Sequence, residues 1–169
     1  MVDYKLVKYC KICRKNKNRQ GVQSIKLLLS DLEKFGFGPV YYIPLIIDSR
    51  IITTVVKRSN MKYFRLLFVG GDREIKGLRG VLTAVSILEK LNVPIQLTVL
   101  GSVDPAVKKQ YKTVQFFGQI SPYSQLFLRV FKDADCYINN SRYEVVPLAM
   151  LEAAGAQLCL CLSNLPTLR

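Results

Sequence analysis

The chain has 169 residues, half of them hydrophobic, with ten glycines and seven prolines, and its net charge is +13. This composition excludes a disordered, collagen-like or low-complexity chain and indicates one ordinary folded domain. The absence of histidine excludes a Ser-His-Asp triad and an H-E-x-x-H zinc site. The positive charge favours an anionic partner, which is a nucleotide, a nucleic acid or an acidic membrane surface.

The positive charge is concentrated at the N-terminus. Residues 1–26 contain eight lysines and arginines against a single acidic residue, a net +7. This segment is predicted to bind an anionic membrane surface or another polyanion weakly, and a merely solvated basic tail fits the charge almost as well. No apolar run approaches the roughly 20 residues of a membrane-spanning helix, and residues 1–20 lack the apolar stretch of a signal peptide. We therefore expect a cytoplasmic protein, with peripheral attachment to a membrane left open.

The five cysteines do not form a recognisable framework. Their number is odd and three of them lie in apolar stretches, which indicates reduced thiols rather than disulfides. Cys10 and Cys13 form a C-x-x-C, half of a zinc knuckle, but no second pair follows at the required spacing. We predict no metal site and no cofactor, and the role of Cys10 and Cys13 stays open.

The first sixty residues contain one helix pattern and one strand pattern. A helix is predicted over residues 24–35 with Gly36 as its C-cap, followed by a strand over residues 39–43. The β-branched residues 51–56 fit either an extra strand or a linker. We place a domain boundary near residue 60 and interpret residues 1–60 as the remnant of a preceding domain with its linker.

From residue 65 onward, strand and helix patterns alternate. Short apolar runs predict five strands, at residues 65–70, 96–101, 113–118, 136–140 and 158–163. Apolar residues spaced three and four apart, with a proline or an N-cap residue at the start, predict four helices between these strands. The first covers residues 76–92, the second begins at Asp104, the third runs from Ser121 to about Ala134, and the fourth begins at Pro147.

Alternating strands and helices with wholly apolar strands indicate a parallel sheet covered on both faces. Right-handed crossovers then favour a doubly wound, Rossmann-like α/β sheet with the strand order 3-2-1-4-5. In that order the first and fourth strands are neighbours, and ligands bind between their carboxyl ends. Residues 70–73 and 139–147 are predicted to meet there.

Two groups of residues in or near these segments have the chemistry to bind an anion and hydroxyl groups. Gly70 and Gly71 let a ligand approach the backbone, and Lys76 and Gly77 add a cation at the mouth of the next helix, which suits a phosphate. A tight turn with a solvated lysine is the alternative. Glu144 and Glu152 are separated by seven residues, or roughly 8–12 Å along one element, and could span a ligand or be two solvated carboxylates.

These residues together resemble the C-terminal, donor-binding half of retaining GT-B glycosyltransferases of glycosyltransferase family 4, also called group 1. The resemblance covers about residues 65–166. It rests on several short blocks. The first is the Leu-Phe-Val-Gly-Gly run, which ends at Gly71. The others are Lys76-Gly77, residues 97–101, residues 114–118, residues 134–141 and the pair Glu144-x7-Glu152. Residues 42–48 also resemble the linker that precedes this half in the family.

The resemblance implies a role for each matching residue. Lys76 matches the lysine that contacts the donor diphosphate, Glu144 the catalytic-site carboxylate near the donor sugar, and Glu152 the carboxylate that accepts hydrogen bonds from the ribose. Phe117 and Gly118 lie where the family receives the nucleotide base. The family often has arginine where this chain has Gly71, so Arg73 is the expected substitute at the diphosphate.

The implied function is transfer of a hexose from a nucleotide-diphosphate sugar to an unknown acceptor. Most of the family's acceptor domain has no counterpart in residues 1–60, and residues 61–169 form a C-terminally shortened donor domain, so an acceptor-domain partner or a homo-oligomer is expected. Two alternatives are a non-catalytic remnant that binds a sugar nucleotide or a partner, and a nucleic-acid-binding module built on the basic N-terminus. The last lacks any nucleic-acid-binding motif.

Overall fold

A doubly wound α/β sheet is the main feature of the computed structural model, which describes residues 21–23, 33–34, 36, 40–42, 45–52, 62–144 and 148–165. The chain divides into two units, Met1–Ile46 and Ile47–Arg169. The cysteine pair Cys10 and Cys13 and most of the basic segment 1–26 lie outside the described residues, as do residues 53–56.

In the first unit, two short strands pair in parallel, β1 (Gly21–Gln23) and β2 (Val40–Tyr42). The sequence predicted β2 and missed β1, whose three residues are too short for a recognisable pattern. Of the helix predicted over 24–35, the described residues Glu33 and Lys34 are helical, and Gly36 follows with φ 78°.

The second unit contains five described strands, β3 (Phe64–Val69), β4 (Ile95–Leu100), β5 (Gln115–Gly118), β6 (Cys136–Asn139) and β7 (Cys159–Leu162). All of them pair in parallel, in the order β5-β4-β3-β6-β7. This confirms the predicted order 3-2-1-4-5. The carboxyl ends of β3 and β6 therefore lie side by side.

Four helices connect these strands, α1 (Leu78–Lys90), α2 (Pro105–Gln110), α3 (Gln125–Asp133) and α4 (Leu148–Gly155). Asp104 caps α2 as predicted, because its side chain accepts from the Ala106 N–H at 2.7 Å. The helices α1 and α3 begin a few residues later in the chain than predicted. Gly77 before α1 and Tyr123 before α3 have left-handed φ values of 71° and 57°, which interrupt a right-handed helix.

Two hydrophobic clusters cover the two faces of the sheet. Alternate residues of each strand point to opposite faces, so Leu66 and Phe68 pack with α1 whereas Leu67 packs with α3 and α4. Ile51 belongs to the second cluster and is 1% exposed. It lies in a 3-10 turn over Ser49–Ile51, so the sheet unit includes residues before the boundary that we placed near residue 60.

The packing of α1 gives a direct test of the fold. Leu82 is fully buried, whereas Ile87 on the same helix is 53% exposed. We expect Leu82→Ala to lower the free energy of unfolding by about 2–5 kcal/mol, because it leaves a cavity between α1 and the sheet. Ile87→Ala is the matched control and should change it by less than about 0.5 kcal/mol. Urea denaturation measures both, and equal losses would contradict this packing.

Candidate functional site

The loops that follow β3 and β4 pack closely against each other. The Gly70 N–H donates to the Leu100 carbonyl at 2.9 Å, and the Asp72 N–H donates to the Ser102 carbonyl at 3.0 Å. A Cβ on Gly71 would lie only 2.5 Å from the Ser102 carbonyl oxygen. The glycine that stands where the family often has arginine is therefore required by backbone packing in this chain.

Lys76 and Glu144 meet between the carboxyl ends of β3 and β6. The Lys76 Nζ lies 2.9 and 2.8 Å from the two carboxylate oxygens of Glu144. The Lys76 side chain is 22% exposed and that of Glu144 only 9%, so water screens the pair weakly. The structure thus joins two of the predicted site residues that are far apart in the sequence.

Two hydrogen bonds to backbone carbonyls hold the loop after β6 against the start of α1. The Arg142 N–H donates to the Ile75 carbonyl at 2.9 Å, and the Asn140 Nδ2 donates to the Gly77 carbonyl at 3.1 Å. A Cβ on Gly77 would collide with the Asn140 backbone carbonyl. Gly77 therefore allows the approach that brings Glu144 to Lys76.

Arg73 lies in a neighbouring cavity of about 560 Å³ at the amino end of α1, whose lining also includes Arg79, Asn140 and Arg142 but neither Lys76 nor Glu144. Arg142 pairs with Glu74 at 2.9 Å. Arg73 and Arg79 make no ion pair with any residue that the structure describes. Asp72 and Glu74 also line this cavity, so its charges are mixed, and the substitution of Arg73 for the family arginine stays a prediction.

Glu152 on α4 is 4% exposed, so its carboxylate is largely removed from water. Burial raises the pKa of Glu152 above its ordinary value, and a hydrogen bond donated by the Tyr123 hydroxyl partly opposes this. Tyr137 on β6 is also fully buried, and burial together with the nearby charges of Glu144 and Glu152 raises its pKa to about 12. Tyr137 therefore lies within electrostatic reach of both carboxylates.

Asn139, at the end of β6, was missed as a candidate. Its side-chain oxygen accepts from the Ser141 N–H at 2.9 Å and from the Ser163 hydroxyl at 3.2 Å. Asn139 is 6% exposed, and these bonds fix the turn that leads to Glu144. An amide side chain at the end of an apolar strand was the signal that could have identified it.

Phe117 and Gly118, the predicted base-binding residues, end β5. Phe117 is 41% exposed and lines a groove of about 520 Å³ whose lining also includes Thr98, Gln115 and Leu126. Lys76, Glu144 and Glu152 are not part of that groove. Lys76 and Glu144 are therefore in contact with each other, whereas the Phe117 side chain lies in a separate surface groove.

The described part of the chain contains neither a metal-binding cluster nor a membrane-crossing helix. No group of three or more acidic or cysteine side chains there is arranged to hold a metal ion. Among the helices of that same part, none has the length and apolarity needed to cross a membrane.

Comparison with known families identifies the sheet unit. The sequence pattern of the family described as "Glycosyl transferases group 1" matches residues 51–169. The chain belongs to this family. No curated protein matches it. The resemblance inferred from the sequence blocks is confirmed.

Solved structures show the same fold. The pneumococcal O-GlcNAc transferase GtfA, in complex with UDP and GlcNAc, is 18% identical with a TM-score of 0.68, and the match covers 92% of this chain and 32% of that one. Anabaena Alr3699/HepE, in complex with UDP and glucose, is 10% identical with a TM-score of 0.70 and coverages of 96% and 49%. The C-terminal domain of a group 1 glycosyltransferase (LpcC) from Francisella tularensis is 17% identical with a TM-score of 0.53, and 69% of each chain is covered.

These matches establish the GT-B C-terminal, Rossmann-like domain. They also show that this chain spans about a third to a half of the length of the first two structures.

The close approach at Gly77 leads to a test with a matched control. Gly77 and Gly118 have nearly the same left-handed φ, 71° and 70°, but no atom of the described residues lies within 4 Å of a Cβ on Gly118. We expect Gly118→Ala to cost only the backbone strain of about 1–3 kcal/mol. Gly77→Ala should cost more in urea denaturation, because its methyl group collides with Asn140. Equal costs would contradict the arrangement of this loop.

Proposed function

We propose that the chain is the donor-binding part of a retaining glycosyltransferase that binds a nucleotide-diphosphate sugar between the carboxyl ends of β3 and β6 and transfers its hexose. The observation that carries this proposal is the Lys76–Glu144 pair at the switch point of the sheet. Parallel α/β sheets bind ligands at this point. The family supplies the reaction class.

The diphosphate is assigned to the amino end of α1. Lys76 offers a cation, and the amino end of α1 is a favourable position for an anion. Gly71 is buried against the Ser102 backbone, so of the two glycines it is the partly exposed Gly70 that is proposed to let a ligand approach the backbone. Arg73 and Arg79, which line the adjacent cavity, add positive charge without a carboxylate partner among the described residues.

Glu144 is assigned to the donor sugar as the catalytic residue. In the structure both of its oxygens accept from Lys76. An arriving diphosphate competes with Glu144 for that lysine, because phosphate oxygens are strong acceptors of charge-assisted hydrogen bonds. Glu144 is then proposed to offer a carboxylate oxygen to a sugar hydroxyl.

The ribose is assigned to Glu152. The base is assigned to the loop that begins at Gly118, because the Phe117 side chain lines a separate groove. A buried carboxylate can accept from the two hydroxyls of a vicinal diol, and Glu152 has no cationic side chain bonded to it among the described residues. UDP is bound in the structures of pneumococcal GtfA and Anabaena Alr3699/HepE. A uridine or guanosine diphosphate sugar is accordingly the proposed donor.

The acceptor site is proposed to come from outside residues 47–169, through an acceptor-domain protein, a second copy or a further part of a longer chain. The basic segment 1–26 is proposed to contact an anionic membrane surface, and it lies almost wholly outside the described residues. The alternative of a non-catalytic sugar-nucleotide binder shares the same donor site. Binding alone therefore does not separate the two, whereas turnover does.

Nucleotide binding tests the assignment of the diphosphate. We expect wild-type protein to bind UDP or GDP in calorimetry without a divalent metal. Lys76→Ala should weaken binding by roughly 10-fold or more, because a hydrogen bond to a charged group contributes about 1.5–3 kcal/mol. Lys90→Ala, at the exposed opposite end of α1, is the matched control and should bind as wild type does.

The same measurement with Glu152→Ala tests the ribose assignment. If Lys76→Ala and Glu152→Ala both bind every nucleotide as wild type does, the proposed site is wrong. Strict dependence on manganese would also contradict it.

Sugar transfer tests the need for an acceptor site. We expect the chain alone to hydrolyse donor slowly at most, because alignment of an acceptor hydroxyl and exclusion of water supply about 7–11 kcal/mol of such a barrier. Labelled nucleotide sugars with lipid, polyprenyl and saccharide acceptors measure this. Rapid transfer by a verified monomer would show that residues of this chain build the acceptor site.

A further inference from the structure

A buried amide at the end of β6 joins the loop of Glu144 to the end of β7. The Asn139 side-chain oxygen accepts from the Ser141 N–H at 2.9 Å and from the Ser163 hydroxyl at 3.2 Å. The Ser163 hydroxyl also donates to the Asn139 backbone carbonyl at 3.2 Å, and the Ser163 N–H donates to the same carbonyl at 2.9 Å. Asn139 and Ser163 are therefore connected through both backbone and side chain.

This group of hydrogen bonds is largely closed to water. Asn139 is 6% exposed and Ser141 is 3% exposed. The Asn139 Nδ2 also donates to the hydroxyl of the buried Tyr137 at 3.4 Å. Because water reaches these atoms poorly, a polar group that lost its partner here would stay unpaired, which is unfavourable. The Asn139 side chain is thus fixed in one orientation, and it fixes the backbone of the turn at Ser141.

The loop that carries Glu144 is attached on two sides. Asn140 and Arg142 donate to backbone carbonyls at the start of α1, at 3.1 and 2.9 Å. Asn139 and Ser163 attach the same loop to the end of β7. Glu144 lies two residues beyond Arg142, so both attachments determine where its carboxylate lies.

We propose that Asn139 is a positioning residue for Glu144 and holds its carboxylate, through the turn at Ser141, where the sugar of the donor binds. This role rests on the proposed function. Because Asn139 is buried, it acts through the backbone of the loop rather than by contact with the ligand. Loss of its hydrogen bonds releases the loop from β7 and displaces Glu144.

The diphosphate end of the site is built without this amide. Lys76 lies in the loop after β3, where its own N–H donates to the Arg73 carbonyl at 2.9 Å. A change at Asn139 therefore leaves Lys76 in place. Since Glu144 competes with the diphosphate for Lys76, displacement of Glu144 should not weaken binding of the diphosphate. The two ends of the donor thus respond differently to the same substitution.

Calorimetry with nucleoside diphosphates and nucleotide sugars tests this difference. The probes are UDP, GDP, UDP-glucose, UDP-GlcNAc and GDP-mannose, and the nucleotide sugar that wild type binds most tightly is compared with its own diphosphate. Asn139→Leu keeps the branched shape of the side chain and removes its polar atoms. We expect it to bind the nucleotide sugar about 5–10-fold more weakly, the lower range of one hydrogen bond to a charged group. It should bind the diphosphate as tightly as wild type or more tightly.

A double-mutant cycle tests whether Asn139 acts through Glu144. Glu144→Gln alone should weaken binding of the nucleotide sugar about 10-fold, because an amide replaces the charged acceptor. In the Glu144→Gln background, Asn139→Leu should add less than about 2-fold, because changes that act on one interaction are not additive. Full additivity of the two losses would overturn the proposal.

A milder variant keeps the test valid if Asn139→Leu does not fold. Ser163→Ala retains Asn139 and removes the hydroxyl that donates to it from the end of β7, and it should weaken the nucleotide sugar selectively by about 2–5-fold. Thr83→Ala, which removes an exposed hydroxyl from α1, is the matched control and should bind both ligands as wild type does. Leu82→Ala lowers stability away from the loop and should leave the ratio of the two affinities unchanged.

The outcomes separate this role from the proposed function. Failure of wild type to bind any probe overturns the proposed function and the role of Asn139 with it. Nucleotide-sugar binding that Glu144→Gln leaves unchanged overturns the assignment of Glu144 and, with it, the role of Asn139. A loss in Glu144→Gln with unchanged binding in Asn139→Leu and Ser163→Ala overturns the role of Asn139 alone. An equal loss for the diphosphate and the nucleotide sugar indicates a merely structural asparagine and also overturns it.

Discussion

The candidate site depends on the parallel pairing of β3 with β6, two strands separated by two complete strand–helix repeats. The Asp135 carboxylate, just before β6, accepts from the Arg65 backbone N–H at 2.8 Å and from its guanidinium Nε and Nη2 at 3.0 and 2.7 Å. The Asp135 N–H donates in return to the Arg65 carbonyl at 2.9 Å. This forked contact aligns the beginnings of both strands, so that their ends deliver the Lys76 and Glu144 loops to the same place.

The end of β6 explains how an apolar strand leads into a polar site. Asn139 and Tyr137 are buried among apolar residues, and every fully buried side-chain nitrogen and oxygen in the described part of the chain has a hydrogen-bond partner. Unpaired polar groups at this depth would cost about 1–3 kcal/mol each. Because they are paired, the turn after β6 is held by side-chain hydrogen bonds rather than by hydrophobic packing alone.

The two acidic residues of the site have different surroundings. Glu144 pairs with a lysine, whereas Glu152 makes no ion pair with any residue that the structure describes, and burial raises its pKa. Under the proposed function this difference is useful, because a diphosphate can take over the lysine while the neutral ribose approaches a carboxylate without a competing cation. The site thus has a charged end for phosphate and a neutral end for the diol.

The sequence by itself determined the class of sheet, the strand order and the family. Apolar strands, helix spacing and right-handed crossovers leave few arrangements, and the motifs at Gly70, Lys76, Glu144 and Glu152 follow the strands in order. Local patterns could not give contacts between distant segments. The Lys76–Glu144 pair depends on the β3–β6 pairing, and the separate groove of Phe117 depends on which face of β5 that residue occupies.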